Sequence, residues 1–297
     1  MTKVAIVVTE NREEGVLKAI ELLDINPVKG KDVIFKPNFN TADPPPASTD
    51  LGALKVFLKK LQEMGAKSIT VAERSGPVDT NEAFIKRVQP IAEELGVKLV
   101  NLAEVPIEEY VHVTPKDSHW KNGFLFSKLY YEAECIVEFG CIKTHQYGGH
   151  FTLSLKLATG LVPRRNLDGN SYMRELHSSP HQRKLIAEIN TQFSPDLIVM
   201  DGVDIFVDGE PDKGTIKHAK VVIAGTDRIA IDAVGVAILR IQGTTPELSQ
   251  GRIFEQEQIK RAVELNLGIN DPSEIDFLTD SQEADELSTK ILNELLT

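Results

Sequence analysis

Several basic side chains are concentrated in one short stretch of the sequence. Lys143, His145, His150 and Lys156 directly follow an apolar run at 135–139 that is typical of a buried strand. Lysines attract anions, glycine-rich turns expose backbone N–H groups, and an imidazole exchanges protons near neutral pH. The stretch therefore predicts a small-anion site with His145, His150 and Lys156 as catalytic candidates. For each residue alone, a solvated lysine or a loop-capping histidine is an equally good interpretation, and the density of the cluster favours the functional one.

A second candidate lies earlier in the chain, where residues 36–40 follow a short strand pattern at 32–36. Lys36 offers a cation for a carboxylate or phosphate, and the amides of Asn38 and Asn40 can both donate and accept hydrogen bonds. A structural turn made by its own side chain explains Asn40 nearly as well. The predicted ligand-binding residues are Lys36, Asn38, Asn40, Lys143 and Thr144.

A carboxylate-rich segment at 201–214 follows another strand pattern, at 196–200. Carboxylate oxygens can hold magnesium or calcium, and Asp201 at the expected strand end is the candidate metal ligand. The spacing does not match an EF-hand loop, so solvated turns are the simpler interpretation. The carboxylates of the segment are Asp201, Asp204, Asp208, Glu210 and Asp212.

The remaining motifs are weaker. Cys135 and Cys141 are the two cysteines of the chain, whereas an iron–sulfur cluster needs about four cysteine ligands, so this chain alone holds no such cluster. His177 and His181 are separated by a proline that disturbs the helical phase a shared metal would need. The turn at 225–228 fits either a phosphate-binding loop or a capped helix start, and the cap is the more economical interpretation.

The elements that must position these residues alternate along the chain. This alternation predicts an α/β fold with a mainly parallel sheet flanked by helices, in which ligands collect at the carboxyl ends of strands. That rule places residues 36–40 beside 73–76. The irregular segment 104–131 marks a lobe boundary within one unit spanning 1–297, with a cleft between two lobes. Strands are predicted at 3–9, 32–36, 67–72, 97–102, 135–139, 196–200, 219–224 and near 277. Helices are predicted at 13–23, 50–64, 81–95, 150–159, 180–193, after the strand at 219–224 through residue 238, at 247–265 and at 283–296.

The overall charge and composition exclude several classes of partner. A net charge of −11 at pH 7 argues against nucleic acid and anionic membrane surfaces, since both attract basic proteins. No apolar run approaches the roughly 20 residues that span a bilayer. Few cysteines are typical of a reducing compartment, so a cytoplasmic protein is expected. The sequence is also compatible with a homo-oligomer.

Taken together, the motifs resemble those of domain-of-unknown-function family 362. The resemblance spans roughly residues 30–240, and its specificity comes from the order and spacing of the pieces rather than from any one of them. The matching pieces are Lys36-Pro37-Asn38, Lys143-Thr144-His145, Ser154-Leu155-Lys156, Asp201-Gly202 and residues 225–232.

This resemblance implies two further expectations. Many members of the family carry a ferredoxin-like module, which implies a redox protein that works with a separate ferredoxin-type partner. The family is also distantly similar to nickel-pincer lactate racemases, which implies a metal-containing cofactor whose lysine tether maps most naturally to Lys156. The leading hypothesis is an enzyme, of isomerase or oxidoreductase type, that uses acid–base or racemase-like chemistry on a small anionic metabolite. Its rivals are the ferredoxin-dependent protein and a non-catalytic anion sensor.

Overall fold

The computed structural model describes residues 1–209 and 212–297, so Glu210 lies outside the described residues. Within those residues the strands form one sheet of ten strands and one of two. They are β1 (Thr2–Val8), β2 (Asp32–Lys36), β3 (Ser68–Glu73), β4 (Lys98–Asn101), β5 (Tyr110–Val113), β6 (Phe124–Ser127), β7 (Cys135–His145), β8 (His150–Thr152), β9 (Leu197–Phe206), β10 (Ile216–Lys217), β11 (Val221–Gly225) and β12 (Ile275–Thr279).

The large sheet is mostly parallel. Its strand order is β12-β1-β11-β9-β7-β2-β3-β4, and β11 runs antiparallel to both of its neighbours. The short strands β8 and β10 add antiparallel pairs to β7 and β9. Crossover helices connect the parallel strands, as parallel pairing requires. The predicted α/β class with a mainly parallel sheet is confirmed.

Helices cover the sheet, together with short 3-10 segments and one π-helical turn at Asn81–Ile85. The α-helices of the described residues are α1 (Arg12–Leu23), α2 (Leu51–Glu63), α3 (Lys86–Leu95), α4 (Lys128–Tyr131), α5 (Ser154–Leu157), α6 (Tyr172–Ser178), α7 (Gln182–Ile189), α8 (Arg228–Ile241), α9 (Pro246–Ser249), α10 (Glu257–Glu264) and α11 (Gln282–Leu296). None of these is long and apolar enough to cross a bilayer.

Alternate side chains of β1 show that both faces of the sheet are buried. Val4 and Ile6 belong to a core cluster that contains residues of α8, α10 and α11. Ala5 and Val7 belong to a second cluster, which contains residues of α1, α2 and α3. Successive residues of a strand point to opposite faces, so a strand buried on both sides is a continuous apolar run. This is why β1 was predictable from sequence.

Several helix starts follow the expected capping chemistry. Asp50 accepts a hydrogen bond from the backbone N–H of Ala53 at 2.9 Å and begins α2. Asp227 accepts from the N–H groups of Ile229 and Ala230, both at 2.9 Å, and begins α8. The same Asp227 carboxylate also accepts from the N–H of Ile269 at 2.8 Å. The turn at 225–228 is therefore a capped helix start.

Two strands are longer than predicted, and both differences matter for the site. β7 continues to His145, whereas a loop was expected from residue 140, and every residue of the strand is buried. β9 continues to Phe206, so Asp201 lies in mid-strand rather than at a strand end. Polar residues at these positions suggested loops, but both strands lie inside the sheet, where neighbouring elements supply hydrogen-bond partners.

The predicted helix at 150–159 was wrong. The chain turns after β7 into β8, and residues 143–145 of β7 pair with residues 150–152 of that strand. The helical part is the short α5, followed by a 3-10 segment at Ala158–Leu161. The hairpin reverses the chain and brings α5 back alongside the earlier part of β7, where Ser154 donates a hydrogen bond to Glu138.

The irregular segment at 104–131 forms the two-stranded sheet of β5 and β6 together with α4. Its Phe126 and Tyr130 share a core cluster with Ile34, Ala72 and Ile136 of the large sheet. The division of the chain into two lobes with a cleft between them stays a prediction.

Candidate functional site

The carboxyl ends of β2 and β3 meet at one edge of the sheet. Lys36 ends β2 and Glu73 ends β3, and the lysine Nζ lies 2.7 Å from Glu73 Oε2 with both side chains 3% exposed. Glu73 also accepts from the backbone N–H groups of Phe39 and Arg74, at 3.0 and 2.8 Å. The Ser75 hydroxyl donates to the Phe39 carbonyl at 2.7 Å. The structure thus places segments 36–40 and 73–76 side by side, as the sequence predicts.

Lys143 lies on β7 and is buried. Its Nζ donates to the carbonyl oxygens of Pro46, at 3.2 Å, and Ala47, both in the loop before α2. Carbonyl dipoles balance only part of a buried ammonium charge, and burial lowers the pKa of Lys143 from its usual value. Lys143 therefore brings positive charge to the site without an acidic hydrogen-bond partner in the described chain.

Lys156 lies on α5, and its side chain has neither a hydrogen-bond partner nor an ion-pair partner among the described residues. Burial lowers the pKa of its ammonium to about 7, and the nearby charges of Lys143 and Arg74 add to this effect. A lysine at this pKa is present as both amine and ammonium near neutral pH. Such a group can accept and donate a proton, unlike an ordinary surface lysine.

Arg74 follows β3 and is buried beside these lysines. Its guanidinium donates to the carbonyl oxygens of Thr159 and Val162 at 2.5 and 2.7 Å. Burial lowers the pKa of Arg74 to about 10, so the guanidinium remains charged at neutral pH. The donors of Arg74 thus fix the turn after α5, while its charge acts on Lys156.

These side chains line a small inner cavity of about 40 Å³. Lys36, Arg74, Lys143 and Lys156 contribute cations to its wall, and Glu73 contributes a carboxylate. The hydroxyl of Thr152 and the amide Nδ2 of Asn38 also belong to lining residues. The hydroxyl is buried without a partner in the described part of the chain, and the amide has only the weak acceptor of the Cys141 thiol beside it. Unpaired buried donors cost free energy, so the cavity is suited to a polar, negatively charged occupant.

A wider outer cavity of about 490 Å³ adjoins the inner one. Five residues line both spaces, including Lys156, which therefore faces their junction. The outer walls are formed in part by aromatic and apolar side chains. The shared residues are Asn40, Arg74, Lys156, Thr159 and Gly160, and the outer walls include Pro77, His145, Tyr147, Met173, Leu176, His177 and Asp212.

Three rings stand together in the outer cavity. The His145 and His177 rings are nearly parallel, with 7° between their planes and 6.2 Å between their centres, and Tyr147 is tilted steeply to both. Burial lowers the pKa of His145 well below its usual value, and the charge of Lys156 lowers it further. The pKa of His177 is lowered by the same two causes. Both imidazoles are therefore neutral at pH 7, and the Nδ1 of His145 is buried without a described partner.

Two glycines let the backbone approach the charged groups closely. A Cβ at Gly160 would lie 2.7 Å from Glu73 Oε1 and 3.3 Å from Lys36 Nζ. A Cβ at Gly149 would lie 2.9 Å from His145 Nδ1 and 3.1 Å from Lys156 Cε. There is no room for a side chain at either position, so these two glycines set the width of the site. The sequence showed them only as turn residues.

A layer of buried acids lies beneath α5. Asp232 of α8 accepts from the N–H of Leu155 at 3.3 Å, and Glu138 of β7 accepts from the Ser154 hydroxyl at 2.5 Å. Burial raises the pKa of both carboxyl groups. These contacts hold the first turn of α5 and so position Lys156. Asp232 was part of the family resemblance, but no role was predicted for it.

His150 does not join the other predicted residues. Regular strand geometry would place the His150 side chain on the same face of the sheet as that of its β-partner His145, but the φ of His150 is 62°, outside the range of a regular strand. It lines a separate cavity with Arg183 and Gln256, and burial lowers its pKa, with the charge of Arg183 adding to the effect. The catalytic prediction for His150 is therefore not supported by its position.

Asp201 also lies outside both cavities. Its carboxylate accepts from Arg12 Nε at 2.9 Å and from the Val203 N–H at 3.0 Å, and Arg12 also pairs with Asp204. Burial raises the pKa of Asp201. No group of three or more His, Cys, Asp or Glu side chains within 1–209 and 212–297 is arranged to hold a metal ion. The charged neighbour of Asp201 is thus a guanidinium, so its position does not support the predicted metal role.

The two cysteines, which the sequence offered as weak metal ligands, line neither cavity. Cys135 and Cys141 are buried free thiols, and burial raises their pKa values to about 12 and about 11. A further cavity of about 740 Å³, lined in part by residues 165–171, exceeds both the inner and the outer cavity in volume. It contains none of the predicted site residues, and its Arg165 donates to the Gly169 carbonyl of the same turn. Unpaired buried charge, rather than volume, distinguishes the lysine-lined cavities.

Sequence reasoning missed several residues of the site. Thr152, Thr159 and Gly160 have no charge and no motif, and the helix wrongly expected at 150–159 concealed the position of the two threonines. Arg74 belongs to a segment that the strand-end rule did indicate. His177 was visible only as half of a weak metal pair, whereas the structure stacks it against His145.

A family model described as "Domain of unknown function (DUF362)" matches residues 33–237, about two thirds of the chain. The matched region contains all the residues named above for the inner and outer cavities, and it includes Asp232. A comparison with curated proteins finds no match.

Proposed function

The chain belongs to the DUF362 family, and we propose that it is an enzyme that binds a small anionic metabolite and transfers a proton through Lys156. The observation that carries this proposal is the Lys156 ammonium, which stands without a described partner where the two cavities meet. An unpaired cation in this position costs free energy in the empty protein. A bound anion would remove that cost.

The charge balance of the inner cavity supports binding of an anion. Glu73 neutralises Lys36 through their ion pair, whereas Arg74 and Lys143 donate to carbonyl oxygens. Lys156 adds a further charge when it is protonated. Electrostatic attraction between a bound carboxylate and these cations is strong because the side chains are shielded from water. The donors of Asn38 and Thr152 can complete its hydrogen bonds.

The pKa of Lys156 supports acid–base chemistry. Efficient proton transfer requires a pKa near the working pH, and burial lowers that of Lys156 to about 7. The neutral amine can accept a proton from the carbon next to a bound carboxylate, and the resulting ammonium can return it. The electron pair left on the carbon is taken up by the carboxylate as an enediolate beside the cations of the inner cavity. Racemisation or epimerisation would follow if this intermediate turned over before Lys156 returned the proton. His145 remains neutral and can form a hydrogen bond to the same molecule.

The anion-sensing alternative uses the same cavities without turnover, so an experiment must separate it from catalysis. The ferredoxin-dependent function and the cofactor tethered to Lys156 rest on the family resemblance, and no contact among the described residues favours them. His150 and Asp201 have no part in the proposed reaction.

Hydrogen exchange detects proton transfer at carbon whatever the complete reaction is. A panel of 2-hydroxy and 2-amino acids is incubated with the protein in D2O, and proton NMR follows the loss of the C–H signal next to the carboxylate. We expect exchange with at least one class, and a loss of about 100-fold or more in Lys156→Met. Lys290→Met, at an exposed position on α11, is the matched control and should exchange at the wild-type rate.

Two results would contradict the enzyme proposal. Binding of these acids without exchange would make the chain an anion-binding protein. Exchange that persists in Lys156→Met would assign the proton transfer to another group.

A further inference from the structure

We propose that the ligand is a monocarboxylate with a flat, apolar body. Its carboxylate enters the inner cavity and its body lies in the outer cavity. This inference rests on the proposed function because it identifies the class of ligand that the same site accepts.

The size of the inner cavity favours a carboxylate over a phosphoryl group. About 10–15 Å³ of such volume holds one water, so 40 Å³ accommodates about three water-sized groups. A carboxylate has about that size, whereas a phosphoryl group carries more oxygens and is bulkier. The wall at Gly160 already lies against Glu73 and Lys36, so the cavity cannot widen there without breaking their ion pair.

The distribution of charge favours a single negative group. Of the four cations that line the inner cavity, Arg74 and Lys156 also line the outer one, whereas the two other lysines do not. The outer wall also carries the neutral rings of His145 and His177, and Asp212 adds a carboxylate whose charge reaches a lysine of the inner cavity. A first carboxylate that pairs with Arg74 and Lys156 would leave a second one to face Asp212 with no further cation among the described residues of the outer wall.

The shape of the outer cavity favours a flat, apolar body. Its volume of about 490 Å³ lies within the usual range for small-molecule sites. The parallel rings of His145 and His177 offer faces on which a flat group can stack, and Met173 and Leu176 provide apolar contacts nearby. Aromatic groups interact well with such edges and faces.

Four probes separate size, charge and shape. Isothermal titration calorimetry at pH 6.5 measures the affinity of the full chain for phenylacetate, acetate, phenyl phosphate and phenylsuccinate. We expect phenylacetate to bind at least tenfold more tightly than each of the other three. Acetate lacks the body, phenyl phosphate has the larger head group, and phenylsuccinate carries a second carboxylate.

A variant tests the contribution of the stacked histidine rings separately. His177→Ala removes one ring at an exposed position and should weaken phenylacetate about fivefold while leaving acetate unchanged. His218→Ala removes another exposed histidine, which pairs with Asp204 away from both cavities. Its affinity for phenylacetate should equal that of the wild type.

The outcomes distinguish this inference from the function on which it rests. Equal or tighter binding of phenyl phosphate or phenylsuccinate would overturn the monocarboxylate class and leave the anion site in place. Equal binding of acetate, or no effect of His177→Ala, would overturn the flat, apolar body. If none of the four probes binds, or if Lys156→Met binds phenylacetate as the wild type does, the anion site itself is wrong.

Discussion

Two groups of charged side chains in this protein have opposite character. On β9, Asp201 and Asp204 share Arg12, and each charged group has a partner of opposite sign within hydrogen-bond distance. At the ends of β2, β3 and β7, cations outnumber carboxylates, and Lys156 has no partner in the described chain. The first group adjoins neither the inner nor the outer cavity, and the second lines both.

The difference shows what marks a site in this fold. The acidic segment is the more conspicuous feature of the sequence, yet its buried charges are satisfied within the protein. The lysines carry a free-energy cost that the protein does not offset internally, and such costs are typical of binding and catalytic sites. Unpaired charge beside a cavity is therefore the better indicator of function.

The largest expected effect on stability comes from breaking the buried ion pair in the wall of the inner cavity. Lys36→Met leaves the Glu73 carboxylate buried without its cation, and the free energy of unfolding should fall by about 3–5 kcal/mol. Urea denaturation measures this change. The control is Lys67→Met, which breaks the solvent-exposed ion pair with Asp32 and should change the free energy of unfolding far less. Equal costs for the two variants would show that the Lys36 pair is not buried as described.

The next effect is a dependence of the free energy of unfolding on pH, which we attribute to Lys156. In the unfolded chain a lysine keeps its proton up to a pH of about 10.4, whereas the folded protein releases it near 7. Between these values the unfolded state binds more protons, so raising the pH favours the folded state by up to about 1.4 kcal/mol per pH unit. Below pH 7 both states hold the proton and the contribution is flat.

Comparison with Lys156→Met isolates this contribution from other titrating groups. The free energy of unfolding of the wild type, minus that of the variant, should rise by about 2–3 kcal/mol from pH 7 to pH 9. A difference that is constant over this range would mean that Lys156 titrates alike in both states.

The smallest effect belongs to the paired cluster. Asp201→Asn keeps one of the two oxygens, so it can accept from either Arg12 or Val203 but not from both, and the free energy of unfolding should fall by about 1 kcal/mol. The affinity for phenylacetate should stay within twofold of the wild type. A tenfold loss of affinity would show that Asp201 belongs to the ligand site and that the two groups of charges do not act separately.

The sequence predicted the fold where local patterns and burial agree. β1 is a continuous apolar run, and Asp50 and Asp227 are capping residues at the starts of α2 and α8. It failed where tertiary contacts override local polarity. The end of β7 carries Lys143 and His145, which read as loop residues, but the strand is buried in the sheet and continues through them.

The site, too, was predicted only where local patterns indicated it. The strand-end rule brought segments 36–40 and 73–76 together, and the cluster of basic residues indicated Lys143, His145 and Lys156. No local pattern could separate His150 from His145, because the separation depends on one backbone angle and on packing against α7. The pairing of Asp201 with Arg12, far apart in sequence, was equally hidden.

The pKa of Lys156 in the folded protein is the most direct test of this account. Trace labelling with acetic anhydride across a pH series, read by mass spectrometry of the peptides containing Lys156 and Lys290, gives the pH midpoint of each amine. We expect Lys156 to become reactive with a midpoint of about 7, while Lys290 follows an ordinary lysine at about 10.4. If the two lysines share the midpoint of an ordinary lysine, the unpaired, proton-transferring Lys156 at the centre of the proposal is contradicted.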